Sequence, residues 1–446
     1  MSQVFKKLRF LVRLTFAFLK KRFFFILAGI FLGILFFNLS PLIVSLLPKP
    51  RRVEKIGVVG KYQVNELPSE ILKKISIGLT KNTSEGKFEP DLADSWEFSP
   101  DGKIYTFYFG NKNFYWHDGT KFKVEDINYN FKDAKILKIN FNIVKIILEE
   151  PFSPLPAIVS RPIFKKGLVG LGEYKVKKIE KVGNYIKSIS LIPVDKNKET
   201  SSIIYRFYPN ESQLKIAFFL GEINKIEDLE NSEEFKDLKN VKISSYQKKD
   251  RYVALFFKVD HSPFDDKNFR QAIAYAIKKR SDKTRALGPI GPWSWVYNPG
   301  VKKYERDIAK AKLLLSKVKI DSKEPLVIYT FPSLEDEAKD IQEDLKEINL
   351  NTEVRVVNIL PENFDMLLAI QKIPADPDQY TLWHTGQENN FIHFSNLRID
   401  KLLEDGRKTY KEEERKKIYF DFQRFLVEES PAVFLYYPTY FLIERN

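Results

Sequence analysis

LVIYTFPSLEDEAKDIQEDLKEINLNTEVRVV, residues 326 to 357, changes its hydrophobic period twice. Leu326 to Phe331 has the length and composition of a buried strand, and Glu353 to Val357 reads as a second one. Between them Leu334, Ala338, Ile341, Leu345 and Ile348 recur at helical spacing, with Ser333 as the expected N-cap. A strand, a helix and a strand in that order form a βαβ unit, whose strands lie parallel with a right-handed crossover. Parallel sheets bind ligands outside the carboxyl ends of their strands, here near Phe331 to Ser333 and Asn358 to Leu360. The stretch therefore places the chain in the α/β class.

Upstream, helical spacing continues in two further segments. Phe269, Ala272, Ile273, Ala276 and Ile277 mark one amphipathic helix, with Lys278, Lys279 and Arg280 at its dipole-favoured C-terminal end. Ile308, Ala311, Leu314, Leu315 and Val318 mark another. From about residue 56 to residue 253 the pattern changes to short alternating runs between turn residues, as in Ile104 to Phe109 after Pro100-Asp101-Gly102. That part is expected to be rich in strands.

The N-terminal end has a different composition. The whole chain of 446 residues carries 73 Lys or Arg against 59 Asp or Glu, a formal charge of +14. Residues 1 to 55 hold eleven of the basic residues and one acid, Glu54, so the excess is concentrated in the first eighth and the rest is near neutral. This distribution points to a membrane and away from a nucleic acid. Between Arg22 and Lys49 lie 26 residues without a charge, enough at about 1.5 Å per residue to cross a hydrocarbon core of about 30 Å. The stretch exceeds the ~7 to 15 apolar residues of a cleaved signal, and no small-x-small site follows it, so a retained anchor is expected. Pro41 bends or ends the helix in this reading. Charges on its two sides balance, leaving orientation undecided by the positive-inside rule.

Much enzyme chemistry is disfavoured by composition. The chain has no cysteine, which excludes thiol nucleophiles, disulfides and thiolate metal sites. Its four histidines, His117, His261, His384 and His393, show no metal-ligand spacing, and there is no nucleophile elbow, phosphate loop or dinucleotide fingerprint. Trp116-His117-Asp118-Gly119-Thr120 has the composition of a turn. The expected protein is not an enzyme and carries neither cofactor nor metal.

Binding candidates lie in two aromatic loops. In Gly288 to Gly300, Trp293, Trp295 and Tyr297 sit on a Pro- and Gly-rich segment unsuited to helix or central strand. Such side chains stack on peptide or sugar surfaces while their N–H or O–H groups make directional contacts, although a core contact explains them as well. In the second loop Asp376 and Asp378 stand beside Tyr380 and Trp383, where carboxylates next to aromatic rings suit an ammonium group and equally suit a solvated turn.

Four ordered blocks resemble the family 5 extracellular solute-binding proteins of ABC importers, the group containing oligopeptide- and dipeptide-binding proteins. The first joins Leu92-Ala93-Asp94-Ser95-Trp96 to Phe114-Tyr115-Trp116-His117-Asp118-Gly119-Thr120 and Val124-Glu125-Asp126-Ile127. The second is Phe269-Arg270-Gln271-Ala272-Ile273-Ala274-Tyr275-Ala276-Ile277, and the third runs from Tyr304 to Leu315. The fourth combines Ile399 to Leu403, Glu413 to Lys417 and Ser430 to Tyr437.

This resemblance implies a two-lobed, periplasmic-binding-protein-like α/β fold of type II with an extended first lobe, and the apolar stretch read above adds one N-terminal transmembrane helix. The implied organisation is a basic cytoplasmic tail (1–22), an anchor (23–47), a linker (48–55), the first part of lobe I (56–253), lobe II (254–376) and a return segment of lobe I (377–446). The exit crossing is expected near Val253 to Lys258 and the return near Ala375 to Tyr380. Function would be capture of an oligopeptide or similar solute by lobe closure, at Trp293, Trp295, Tyr297, Asp376, Asp378 and Trp383, and delivery to a permease. The protein would be a single-pass cell-membrane protein, a monomer, with residues after about 48 extracytoplasmic. A tethered ligand sensor and an oligosaccharide-binding protein are the alternatives. One departure bears on the ligand: many peptide-binding members have an aspartate that receives the peptide ammonium, and a gapless match puts Ile373 there, three residues before Asp376.

Overall fold

The computed structural model describes residues 16–17, 20–25, 27–40, 53–110, 113–195, 200–320 and 324–445. The expectations for the basic tail before residue 16, for Pro41 and for the linker up to Arg52 fall outside these residues. Residues 1–52 and 53–446 form two separate compact units. In the first, helix α1 (Lys20–Ser40, 21 residues) is long and apolar enough to cross a membrane.

The second unit opens with β1 (Val53–Val59), α2 (Ser69–Ile75) and a hairpin of β2 (Thr80–Asn82) and β3 (Phe88–Pro90). There follow β4 (Ser95–Phe98), β5 (Ile104–Tyr108), β6 (Ala134–Asn140), β7 (Ile143–Leu148) and α3 (Leu155–Ile158). Next come β8 (Tyr174–Val182), β9 (Tyr185–Pro193), β10 (Ser202–Tyr208), α4 (Glu211–Phe219), β11 (Lys225–Leu229) and β12 (Val241–Gln247). Then β13 (Arg251–Phe257), α5 (Lys267–Ala276), α6 (Ile308–Leu315), β14 (Leu326–Thr330), α7 (Glu335–Lys346), β15 (Thr352–Val356) and β16 (Met366–Lys372) build the centre of a second sheet. The chain ends with α8 (Tyr380–Trp383), α9 (Leu397–Lys408), α10 (Glu412–Glu429), β17 (Ala432–Tyr436) and β18 (Thr439–Arg445).

Three principal sheets result. The order β12-β18-β11-β1-β10-β9-β8 makes one of seven strands, β15-β14-β16-β13-β17 one of five, and β4-β5-β7-β6 one of four. As the sequence expects, β14 and β15 pair in parallel, from Leu326 opposite Thr352 to Thr330 opposite Val356. The cap differs from expectation: Pro332, Ser333 and Leu334 form a 3-10 turn ahead of α7, so Ser333 lies inside that turn and makes no side-chain cap. Proline fixes the backbone angle that starts the turn one residue too early for Ser333 to act. Helix α5 does have a cap, the Asp266 carboxylate accepting from Asn268 N–H.

The crossings between the two large sheets also differ from expectation. The chain leaves β12 at Gln247 and enters β13 at Arg251, then leaves β17 at Tyr436 and enters β18 at Thr439. Trp383, Phe394, Leu403, Tyr419 and Leu426 all belong to the core around the five-stranded sheet. Two facts explain the shift. Tyr252 to Phe257 form a strand between β16 and β17 in which every side chain is buried, so both of its faces are covered and the sequence is apolar through its whole length. Residues after Ala375 remain on the same core because α9 and α10 cover it before β17 returns to the sheet. Each large side chain buried there contributes roughly 1.5 to 3 kcal/mol, which favours keeping the segment attached.

Candidate functional site

The loop containing Trp293, Trp295 and Tyr297 is fastened to α10. Gln423 donates through Nε2 to the Val296 carbonyl at 2.7 Å and accepts from Asn298 N–H at 3.1 Å, while Asn298 Nδ2 donates to the Phe420 carbonyl at 3.0 Å. The Trp293 ring meets Tyr437 edge-on at 4.7 Å. Trp295 lies at the tip of the β2–β3 hairpin, where its N–H donates to the Glu85 carbonyl at 3.2 Å and Lys87 Nζ sits 5.9 Å from its ring. Lys87 also pairs with Glu412 at 2.5 Å. Tyr297 is half-buried, which raises its phenol pKa.

The second loop has a different character. Both Asp376 oxygens meet the Arg415 guanidinium, at 2.6 and 3.0 Å, and the pair is buried. Burial opposes the Arg415 charge, but Asp376 more than compensates and its pKa lies above the ordinary arginine value. Asp378 is held differently, both its oxygens sharing the Arg407 Nε–H at 3.0 and 3.1 Å with Nη2 2.9 Å from one of them, and Arg407 covers the Tyr380 ring at 3.8 Å. Both carboxylates also accept backbone N–H groups, Asp376 from Asp378 and Asp378 from Tyr380. They hold the turn together and are saturated by arginines.

Trp383 is buried between Phe256, Phe394 and Phe434, with ring centroids 6.2 to 6.4 Å away. Phe434 lies 5.1 Å from Tyr252, and burial followed by the nearby Tyr437 carries the Tyr252 phenol pKa far above its ordinary value. Tyr437 in turn has Tyr297 close enough to raise its own pKa after burial. Ring contacts join Trp293 to Tyr437 and Tyr252 through Phe434 to Trp383, and Tyr437 lies close enough to Tyr297 and Tyr252 for their phenols to interact electrostatically, which makes one aromatic neighbourhood of the six. It joins four of the residues singled out from sequence, directly or through neighbours, if Trp295 at the hairpin is included beside Trp293 and Tyr297. Asp376 and Asp378 stand apart from it in their ion pairs. Trp293 and Trp295 of the first loop and Trp383 after the second all belong to or pack against the core of the five-stranded sheet.

Within this neighbourhood the hydrogen bonding is incomplete. Tyr252 OH, Tyr437 OH, Trp383 Nε1 and both amide atoms of Gln379 are buried without a partner among the described residues. An unpaired buried donor or acceptor costs about 1 to 3 kcal/mol, so a cluster of them signals groups completed by a ligand or ordered water. Sequence reasoning missed Tyr252, Tyr437 and Gln379. The available signal was position: Tyr252 follows the first crossing and Tyr437 lies within the second, and ligand sites favour domain interfaces.

Other sequence-stated locations have plain structural fates. Ser333, beyond the carboxyl end of β14, lies near Glu230 just beyond β11, whose carboxyl pKa is raised by burial. Ile359 at the end of β15 is 84% exposed and faces no wall. Ile373 is buried, with its N–H donating to the Asp250 carbonyl at 2.6 Å. The His117 turn is closed by Asp118, which accepts Thr120 N–H at 2.9 Å and its hydroxyl at 2.6 Å. A cavity of about 420 Å³ lies beside Lys278 to Asp282, Glu337 and Asp344, reaching Tyr436.

Relatives agree with this architecture. The oligopeptide-binding protein AppA of Bacillus subtilis is 25% identical over 64% of this chain and 60% of its own length. The dipeptide-binding protein of Escherichia coli is 21% identical over 79% of this chain and 81% of its own. Among solved structures, NikZ from Campylobacter jejuni in complex with Ni(L-His) superposes with a TM-score of 0.75 at 25% identity, covering 89% of this chain and 94% of NikZ. The two-lobed α/β fold expected from the sequence is the fold of these neighbours. The model of bacterial extracellular solute-binding proteins, family 5, matches residues 87–143 and 134–391, well over half of the sequence, and the chain belongs to that family.

Proposed function

We propose that the protein captures an oligopeptide or a similar small solute between two lobes and passes it to the permease of an ABC importer. Residues 53–247 with 439–445 form one lobe in this reading and residues 251–436 the other, so that both crossings lie beside the site. The observation that carries it is the cluster of buried, unpartnered groups on Tyr252, Tyr437, Trp383 and Gln379, flanked by Trp293, Trp295 and Tyr297. Phenol, indole and amide groups can exchange hydrogen bonds with a peptide main chain while the aromatic faces receive varied side chains. Relatives named for oligopeptide and dipeptide binding support the same ligand class.

Asp376 and Asp378 serve the lobe by holding its turn, with recognition assigned to neutral groups. Ile373 offers no charge, so a free peptide ammonium has no carboxylate waiting at that position. The favoured ligand is therefore bound through its main chain or a neutral end. Helix α1 anchors the protein by a single span, with the body outside the cytoplasm, and the protein acts as a monomer.

Thermal unfolding of the detergent-solubilised full chain against peptide and oligosaccharide libraries tests the proposal. A ligand at ~100 times its dissociation constant adds roughly 2.7 kcal/mol of stability. Peptides are expected to stabilise the body, and N-acetylated peptides to do so as well as free ones. Stabilisation by oligosaccharides alone would replace the ligand class, and the absence of any shift would overturn capture.

A further inference from the structure

Helix α4 has two apolar faces, and one of them is bare. Leu214, Ala217 and Phe218 are buried against the seven-stranded sheet. Ile216, Phe219 and Leu220, one helical turn apart on another face, are 57%, 45% and 71% exposed. Phe219 is supported from below by Phe235, stacked at 5.2 Å, so the patch is a built surface.

Register fixes which end of the sheet carries it. Strands β1 and β10 run parallel, Val53 beside Ser202 and Val59 beside Tyr208, and α4 leads from the Tyr208 end back to β11. At the close of α4, Asn224 accepts Lys55 N–H at 2.8 Å and donates to the Val53 carbonyl at 3.4 Å, while Arg445 Nη2 donates to the Phe218 carbonyl at 2.6 Å. The patch thus lies at the edge where the chain enters β1. Lys239 and Lys242 are exposed at that edge, Lys242 opposite Glu444. The crossings Gln247 to Arg251 and Tyr436 to Thr439 lie at the opposite end, as does the β8–β9 turn with Val182, because Ile186 N–H donates to Tyr62.

Twelve residues, 41–52, connect the apolar helix to Val53. Fully extended they reach at most roughly 40 Å, so the Val53 edge stays within that distance of a bilayer crossed by α1. We propose that Ile216, Phe219 and Leu220 rest on the phospholipid surface and hold the body with its ligand site facing away from the membrane. This inference rests on the anchor reading above. Exposed Ile, Phe and Leu have the composition of an interfacial contact that gains from buried apolar area, and because Lys239 and Lys242 are balanced by exposed Glu222, Glu233, Glu234 and Asp237, the apolar term carries the docking.

The absence of native cysteine makes the test direct. Full-length Leu220→Cys and Val182→Cys proteins, each carrying an environment-sensitive fluorophore, are placed in phosphatidylethanolamine–phosphatidylglycerol vesicles with nitroxide-labelled lipid. The label at 220 should lose most of its emission and the one at 182 should keep it, and Ile216→Ser with Phe219→Ser should restore emission at 220. Carbonate extraction separates the two claims. A chain retained by the vesicles with its 220 label unquenched overturns docking and leaves the anchor intact. A chain released by carbonate overturns both. A 220 label shielded from aqueous iodide yet untouched by lipid nitroxide overturns lipid docking in favour of a protein partner, including a second copy of this chain.

Discussion

Two aromatic cores in this molecule are built from the same kinds of side chain and differ in how their polar tips are treated. Around the four-stranded sheet, Trp116 Nε1 donates to Asp126 at 2.9 Å, Tyr105 OH to the Phe152 carbonyl at 3.1 Å and Tyr129 OH to the Val159 carbonyl at 2.8 Å. Around the five-stranded sheet, Tyr252, Tyr437 and Trp383 are buried and their tips have no partner among the described residues, whereas Tyr304 in the same core donates to the Val427 carbonyl at 3.1 Å. Burial alone does not separate a scaffold from a binding surface. Saturation of the polar atoms does, because a scaffold must recover its desolvation cost within the folded chain, whereas a site leaves part of it for a ligand to recover.

The sharpest way to break this comparison is through the acid that the sequence offered as a ligand contact. Asp376→Asn leaves the buried Arg415 guanidinium without its counter-charge, and loss of one partner of a buried pair costs about 3 to 5 kcal/mol. Chemical denaturation should register that loss, while the molecules that remain folded bind solute with unchanged affinity. A large fall in affinity at unchanged stability would move Asp376 back into the site.

Next come paired hydroxyl deletions. Tyr105→Phe and Tyr129→Phe each remove one hydrogen bond from a carbonyl that keeps a backbone donor, Leu155 N–H at Phe152 and Leu79 N–H at Val159, and should cost about 0.5 to 1.5 kcal/mol of stability with no effect on affinity. Tyr252→Phe and Tyr437→Phe remove groups that are already unpaired, so stability should hold or rise slightly. Each should weaken solute binding about fivefold, equivalent to the ~1 kcal/mol of one hydrogen bond. Calorimetric titration and denaturation on the same four variants check both halves. If all four behave alike, saturation carries no functional information here.

The sequence was legible where local periodicity survives folding. The βαβ unit and α5 could be read because their apolar residues repeat at spacings imposed by one face of the sheet. The lobe crossings were not, because β13 is covered on both faces and reads as apolar throughout, giving no sign of where it enters the sheet. Asp376 and Asp378 looked available because their arginines are 39 and 29 residues away, across two helices. Tyr252 and Tyr437 looked like ordinary core, since whether a phenol finds a partner is decided by chains far apart in sequence. Trp293, Trp295 and Tyr297 were visible as a cluster because a Pro- and Gly-rich loop has no periodic reason to hold three large rings.

The smallest expected effect sharpens the saturated side of the comparison. His117 is held between two backbone groups, Nε2 at 3.0 Å from the Gly172 carbonyl and Nδ1 at 3.3 Å from Gly170 N–H. Neutral imidazole satisfies both at once when Nε2 carries the proton. Burial lowers the pKa below 6.5, opposed by the bond to Gly172, and protonation at Nδ1 would point a second donor at Gly170 N–H. A depressed folded-state pKa contributes stability that is fully present above the unfolded value and is lost as pH falls through the folded one. Stability should therefore decline as pH drops below about 6.5, over and above the carboxylate titrations that begin lower. His117→Gln can preserve a donor and an acceptor but cannot gain a proton in this range, so its denaturation free energy should be flatter between about pH 6.5 and 5 than that of the natural chain. Solute affinity, carried by the other core, should follow no such difference between the two proteins; a pH break in binding that the natural chain shows and His117→Gln lacks would mean that the paired core reaches the site after all.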